Sequence, residues 1–149
     1  MQESLKFIHD KQTDYQKIIL KNIENFIYRE ERYSTPFAIM LIYVDTHECK
    51  SENLVEMLRK TDLLIDLDSH VKAIVFDSVS NEFYIKAAEN IEYKLETKKI
   101  NLLYSSVVDS ENYSKNYTKM VHDLVEILEY AIENNFSNVV LDNDEGDFL

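Results

Sequence analysis

A chain of 149 residues that holds one glycine, Gly146, and one proline, Pro36, has few ways to turn. Glycine enters positive φ at no steric cost, and tight turns are most often built on it. Most turns in this chain must therefore be made from residues such as Asp, which reach those conformations at some cost. The same scarcity removes whole classes of function. A loop that cradles phosphate needs glycine so that backbone N–H groups can come close to the ligand. Gly146 lies in an acidic tail, so the sequence contains neither a P-loop nor a dinucleotide fingerprint.

The stretch Asp62 to Asp77, DLLIDLDSHVKAIVFD, shows what replaces glycine. Two apolar runs, Leu63–Leu67 and Val71–Phe76, flank the polar break Asp68-Ser69-His70, a pattern that predicts two short strands and a tight turn. Upstream, residues from about Glu3 to Tyr33 place Ile8, Ile19, Ile23, Phe26 and Ile27 at helical intervals. Tyr15–Arg32 is the firmer half of this leading helix, with a break expected near Asp10–Asp14. Pro36 pushes the residue before it out of the α region and so ends the helix. Phe37–Val44 is apolar at every position, as a strand buried on both faces requires.

A loop over Asp45–Lys50 and a helix from Ser51 to Lys60 should follow, then the hairpin. Ser80 or Asn81 is expected to cap a helix to about Lys99, with Phe83, Ala87, Ala88, Ile91 and Leu95 on its inner face. Ile100–Val108 reads as a fourth strand, Asp109–Tyr117 as a polar loop, Thr118–Asn134 as a helix and Val139–Leu141 as a short edge strand. The acidic tail 142–149 is expected to fray. This order predicts an α+β fold of the ferredoxin-like or nucleotide-cyclase-like kind. It has a β-α-β-β-α-β core with helices on one face of an antiparallel sheet, plus an N-terminal helix, a C-terminal helix and an edge strand.

Composition narrows the partners. At 149 residues with 45% apolar side chains, one domain with a proper core is expected. A net charge of −12 repels phosphate backbones and anionic membranes, and no basic cluster offsets it, so neither nucleic acid nor membrane is expected as a partner. Cys49 is the sole cysteine, which excludes an internal disulfide and suits a reducing compartment. With no signal peptide and no apolar run of spanning length, a cytoplasmic location is expected.

Several segments together resemble the GGDEF domains of diguanylate cyclases. The run Arg32 to Asp45, RYSTPFAIMLIYVD, is similar to that family's helix end and first strand. Arg59-Lys60-Thr61-Asp62-Leu63-Leu64 resembles the segment that leads into its signature hairpin. Tyr130, Asn138 and Val140 match a late motif at the family's spacing. Counting from Asp62 sets Asp68, Ser69, His70, Val71 and Lys72 on the five signature positions.

The family joins two GTP molecules into cyclic di-GMP, using divalent metal held by carboxylates. At the positions the resemblance assigns, that chemistry is missing. The first-strand metal aspartate falls on Tyr43, the two glycines on Asp68 and Ser69, and the acidic pair on His70 and Val71. The phosphate-gripping lysine and arginine fall on Glu133 and Ser137, and the segment between Asp45 and Thr61, where guanine would be read, is markedly shorter. The resemblance thus implies a degenerate GGDEF-like domain over 1–149, with no catalytic residues, no metal ligands and no cofactor. One family pattern survives, the product-binding RxxD, at Arg59 and Asp62. A guanidinium can grip phosphate bidentately, so cyclic di-GMP is the ligand this pair implies. The family's helper arginine falls near Glu92, whose charge opposes an anion, and Arg59 and Asp62 also read as an ordinary helix end and turn.

Other candidates are weaker. His47, Glu48 and Cys49 near Asp45 lack a further zinc partner at recognised spacing. His70 has no carboxylate at catalytic spacing, His122 beside Asp123 should face solvent, and Ser105-Ser106 has no nucleophile-elbow context. Leu5, Phe7 and Ile8 form an apolar cluster that either folds back or pairs with a second copy, and a homodimer through the leading helix is the favoured expectation. The expected function is a catalytically inactive regulatory module that contacts a protein partner; a cyclic di-GMP effector is the alternative, and an active cyclase ranks last.

Overall fold

The computed structural model describes residues 2–44, 51–98 and 104–143, with side chains from residue 8 in the first stretch and from residue 52 in the second. The elements are α1 (Gln2–Asn22), α2 (Glu24–Tyr33), β1 (Phe37–Tyr43), α3 (Ser51–Val55), β2 (Leu63–Asp66) and β3 (Val71–Asp77). Then come α4 (Tyr84–Thr97), β4 (Tyr104–Asp109), a 3-10 turn (Glu111–Tyr113), α5 (Tyr117–Glu133) and β5 (Val140–Leu141). The strands form one sheet in the order β2-β3-β1-β4-β5. Neighbours are antiparallel except β4 and β5, which run parallel. The fold is therefore the α+β, β-α-β-β-α-β arrangement expected, with β5 added at the edge.

Every residue of β1 is buried, because its side chains alternate into two separate cores. Phe37, Ile39, Leu41 and Tyr43 join Ile19 and Leu124 on the face covered by α1 and α5. Ala38, Met40 and Ile42 join Leu54, Ala88 and Ile91 on the face covered by α3 and α4. The expectation of helices on one face holds only for the crossover helices α3 and α4. A strand with no polar face must be covered on both sides, and the flanking helices supply the second cover.

The leading segment corrects one further expectation and narrows another. Its break falls at Ile23 (φ −101°, ψ 8°) and not near Asp10–Asp14. His9, Asp10, Lys11, Thr13 and Asp14 are the solvent face of a continuous helix whose inner face carries Ile8, Tyr15 and Ile19. Ile8 is fully buried within its own chain, so it folds back on the body as the second alternative held; the side chains of Leu5 and Phe7 lie outside the described residues. The homodimer expectation thereby loses Ile8 as a contact.

Boundaries elsewhere also shift. α3 ends at Val55, well before Lys60, and passes into turns closed by Met57 N–H to Leu54 O and Leu58 N–H to Val55 O. α4 begins at Tyr84 with no side-chain cap; Asn81 N–H is instead bound by Glu111 Oε1 at 2.8 Å. Phe83, expected inward, is 59% exposed. Tyr117 opens α5, where Asn116 Oδ1 accepts from Lys119 N–H at 3.2 Å. The described part of the fourth strand is 104–109; residues 99–103, the 45–50 loop and the tail from 144 lie outside the described residues. Asp142, expected to fray, is 3% exposed and accepts a 2.8 Å hydrogen bond from the Tyr84 hydroxyl. Positive φ falls on Ser34, Ser78, Ser114, Lys115, Asn135 and Asn138, the cost of turning without glycine.

Burial of Ile8 gives the first prediction. Ile8→Ala should lower unfolding stability by about 2 kcal/mol, the low end for an aliphatic truncation because the site is near a helix start. Denaturant titrations at two protein concentrations check it: a loss that depends on concentration would instead place Ile8 in a dimer contact.

Candidate functional site

The resemblance puts the signature at the hairpin. β2 and β3 pair in register from Leu63↔Val75 to Asp66↔Lys72, leaving Leu67–His70 as the tip. With no glycine, the tip closes on its own groups. Leu67 N–H and Asp68 N–H both donate to Val71 O, at 3.2 and 3.0 Å, and Ser69 N–H donates to the Asp68 carboxylate at 2.7 Å. Lys72 is 5% exposed, its ammonium held by Asp66 and by Asp68 O at 2.7 Å. Val71 points into the core.

His70 sits against the end of β1. Its Nδ1 lies 2.9 Å from Val44 O and so carries the proton in that contact, while Val44 N–H donates to His70 O at 2.9 Å. The Tyr43 ring packs between His70 and Tyr104, at centroid distances of 6.0 and 6.3 Å. Beneath it lies Tyr15 of α1, a buried phenol pushed far above its usual pKa by desolvation first and then by the neighbouring Asp68 and Tyr43. Glu133 and Ser137 are exposed. Among the described residues no group of three or more His, Cys, Asp or Glu is placed to hold a metal. His47, Glu48, Cys49 and Asp45 fall outside those residues.

At the opposite end of β3, Arg59 and Asp62 do meet. The Asp62 carboxylate, 4% exposed, accepts from Arg59 N–H at 3.0 Å, from Asp77 N–H at 2.9 Å and from the Arg59 guanidinium at 2.9 Å. The same guanidinium donates to Asp77 O, and the Asp77 carboxylate pairs with Arg29 of α2 at 3.0 Å. Asp62 thus ties the turn after α3 to the end of β3, which is a structural task. Arg59 keeps more than half of its side chain exposed and borders a groove of about 310 Å³. Met57, Phe76, Val79 and Ile91 form its apolar floor; Lys86, Asn90 and Lys94 of α4 form its far wall. Lys94 reaches across to Met57 O at 3.2 Å, and Lys86 has no carboxylate partner among the described residues.

Sequence reading missed this wall. Residues 86, 90 and 94 are spaced four apart and so share one helix face, a signal visible in the sequence once α4 is placed. Glu92, expected to oppose an anion here, does not line the groove. Its carboxyl is pushed up to about 7 by desolvation, then by Glu96 and Glu89. The remaining candidates are accounted for by packing. Ser106 Oγ donates to Leu124 O at 2.8 Å inside the core, and Ser105 is buried. His122, half exposed as expected, lies 3.3 Å from Glu126 and 3.5 Å from Asp123.

No family model matches the sequence, and no curated protein matches it. Solved structures do. A diguanylate cyclase protein from Thermotoga maritima superposes with a TM-score of 0.62 at 17% identity, over 76% of this chain and 93% of that one. The GGDEF domain of TpbB (YfiN) from Pseudomonas aeruginosa gives 0.64 at 11% identity, over 82% and 85%. The GGDEF domain of DgcB from Caulobacter crescentus, solved in complex with cyclic di-GMP, gives 0.59 at 11% identity, over 85% and 86%. The chain has the fold of the GGDEF domains of diguanylate cyclases.

Two predictions follow from this geometry. Asp62→Ala leaves a buried Asp77 N–H and the Arg59 guanidinium without their acceptor and should cost about 2–3 kcal/mol. Arg59→Ala takes the guanidinium from a buried carboxylate that keeps its two backbone N–H donors, and should cost less, about 1–2 kcal/mol; chemical denaturation of both variants checks the ranking. Glu92 has a folded pKa above its unfolded value, so the native state binds the proton more tightly and stability falls as pH rises from about 5 through 7. Glu92→Gln should flatten that part of the profile, measured as melting temperature between pH 5 and 8.

Proposed function

We propose that this chain is a signalling domain of the GGDEF fold that makes no cyclic di-GMP and acts by binding, as a regulatory or protein-interaction module. The observation that carries this is the self-closed hairpin tip. A triphosphate with its metal needs open backbone N–H groups and carboxylates free to coordinate oxygen-loving cations. At the tip the N–H groups of Leu67, Asp68 and Ser69 are already bonded within the turn. Asp66 is committed to Lys72, and Tyr43, a phenol, stands where the resemblance sets a metal aspartate. Purified protein incubated with GTP and Mg²⁺ or Mn²⁺ should form no cyclic di-GMP; sustained product formation overturns the proposal.

A second reading, a cyclic di-GMP effector, is favoured by one observation. In a chain of net charge −12, Arg59, Lys86 and Lys94 border one groove with an amide, Asn90, between the lysines. Guanidinium and ammonium groups over an apolar floor suit a ligand with phosphates and flat bases. Calorimetry with cyclic di-GMP should give a binding isotherm that Arg59→Ala weakens at least tenfold. A flat trace for the native chain removes this reading and leaves the first one in place.

A further inference from the structure

A second cavity lies at the end of the sheet away from the hairpin tip. β4 starts opposite Tyr43 and runs to Asp109, while its parallel neighbour β5 stops at Leu141, opposite Ser106. The last three residues of β4 run past the end of β5, and a cavity of about 240 Å³ lies against them. Asn112 and Tyr113 of the 3-10 turn, Tyr84 of α4 and Asn143 complete its lining. It shares no residue with the groove beside Arg59.

The hydroxyl protons of this cavity are already committed. Tyr84 donates its own to Asp142 at 2.8 Å, and Tyr113 donates its own to Asp123 at 2.9 Å. Asn143 Nδ2 donates to the Tyr113 oxygen at 2.6 Å, and Asn112 binds Asp109 through both its backbone N–H and its side-chain amide. What remains over is acceptor. Asp109 is 1% exposed and has no cationic partner among the described residues. Lys119, 5.9 Å from the Tyr113 ring, is held by Asp123 at 2.9 Å. Asn143 Oδ1 is buried and has no donor among the described residues. Desolvation pushes the Asp109 carboxyl above its usual range, more than the Asn112 bonds pull it back, and the charge of Glu111 adds to the rise. A buried carboxylate without a counter-charge and a buried amide oxygen without a donor both cost free energy. Both are relieved by a group that brings N–H donors and positive charge.

We propose that this cavity binds a small aliphatic amine in its cationic form, its ammonium groups donating to the Asp109 carboxylate and to Asn143 Oδ1. An ammonium has three donors and no acceptor, the complement of a site with surplus acceptors. A metal ion fits less well, since no three His, Cys, Asp or Glu among the described residues are placed to hold one. At about 30 Å³ for each water-sized group, the volume holds a ligand of about eight non-hydrogen atoms, the size of a short diamine. The net charge of −12 draws such a cation toward the protein, just as it repels anions.

Putrescine, titrated into the full chain labelled for ¹H–¹⁵N spectra, tests the site. About 0.15 M NaCl is kept throughout to screen loose surface association. Saturable shifts are expected in the amide signals of Asp109, Asn112 and Tyr113, while Ser69–Lys72 and Asn90 stay. Tetramethylammonium, a cation without N–H, and butanediol, a chain without charge, should each bind at least tenfold more weakly. Asp109→Asn keeps the shape, removes the charge and should weaken putrescine at least tenfold. Asn143→Ala should weaken it about threefold. Circular dichroism melts establish that each variant is folded, and Asn143→Ala, outside the strands, carries the test if Asp109→Asn unfolds. The absence of saturable shifts overturns the site, as do equal responses to tetramethylammonium or butanediol. Affinity that a folded variant leaves unchanged overturns it too. Mg²⁺ that moves the same amides at lower concentration overturns the amine assignment.

Discussion

The structure depends on a single strand that has no polar face. β1 buries all seven of its residues, and each large apolar side chain taken out of water contributes about 1.5–3 kcal/mol. Such a strand is stable only with partner strands on both edges and helices over both faces, and those demands account for β3, β4 and the two helical layers. Its ends are held by polar contacts. At the start, Phe37 N–H donates to Ser110 Oγ at 3.0 Å, and Ser110 N–H to Phe37 O at 2.8 Å. Ser110 in turn donates to Glu30, a buried carboxylate that also accepts from the Tyr117 hydroxyl at 2.6 Å. At the far end Val44 exchanges hydrogen bonds with His70. The hairpin tip is thus positioned by β1, and so is the end of β3 where Arg59 and Asp62 lie.

Elements whose pattern is local were legible in the sequence. The unbroken apolar run of β1, the hairpin at Asp68–His70 and the helical spacing of α5 each announce themselves within a few residues, and all three are present. What was not legible depends on distant partners. The bend at Ile23 has no glycine or proline to mark it; it falls where α1, lying on α5, gives way to α2, whose Phe26 packs on Phe37. Phe83 was assigned inward because helical periodicity was extended past the true start of α4, and outside the helix its direction follows no such rule. The burial of Ile8 could not be separated from a dimer contact, since an apolar stripe does not say which surface covers it. In the candidate site, Arg59 and Asp62 stand out only through the family resemblance, and the role of Asp62 as the acceptor for Asp77 N–H comes from a strand fifteen residues away. The wall of Lys86, Asn90 and Lys94 needed only the orientation of α4 to become visible.

The hairpin tip shows how glycine scarcity becomes chemistry. A turn with glycines leaves backbone N–H groups bare, whereas Asp68 folds its own carboxylate back onto Ser69 N–H. Lys72 beside the tip is buried and paired with Asp66. Each replacement is locally satisfied, so the polar groups of the tip stabilise the turn by bonding one another. At the end of β3 the carboxylates of Asp62 and Asp77 are met by Arg59 and Arg29, so the charge there balances, and Lys86 and Lys94 of α4 stand at the groove wall beside it.

The field of those two lysines has a short range. Over the surface as a whole a net charge of −12 repels an approaching anion, and the field of a few cations is screened within about 8 Å at physiological salt. A free anionic ligand must cross the repulsive field before the three groove cations act on it, so its association is slow and strongly salt-dependent. An anionic ligand would therefore gain from this groove only at contact range, through groups such as the Arg59 guanidinium and the ammonium of Lys86.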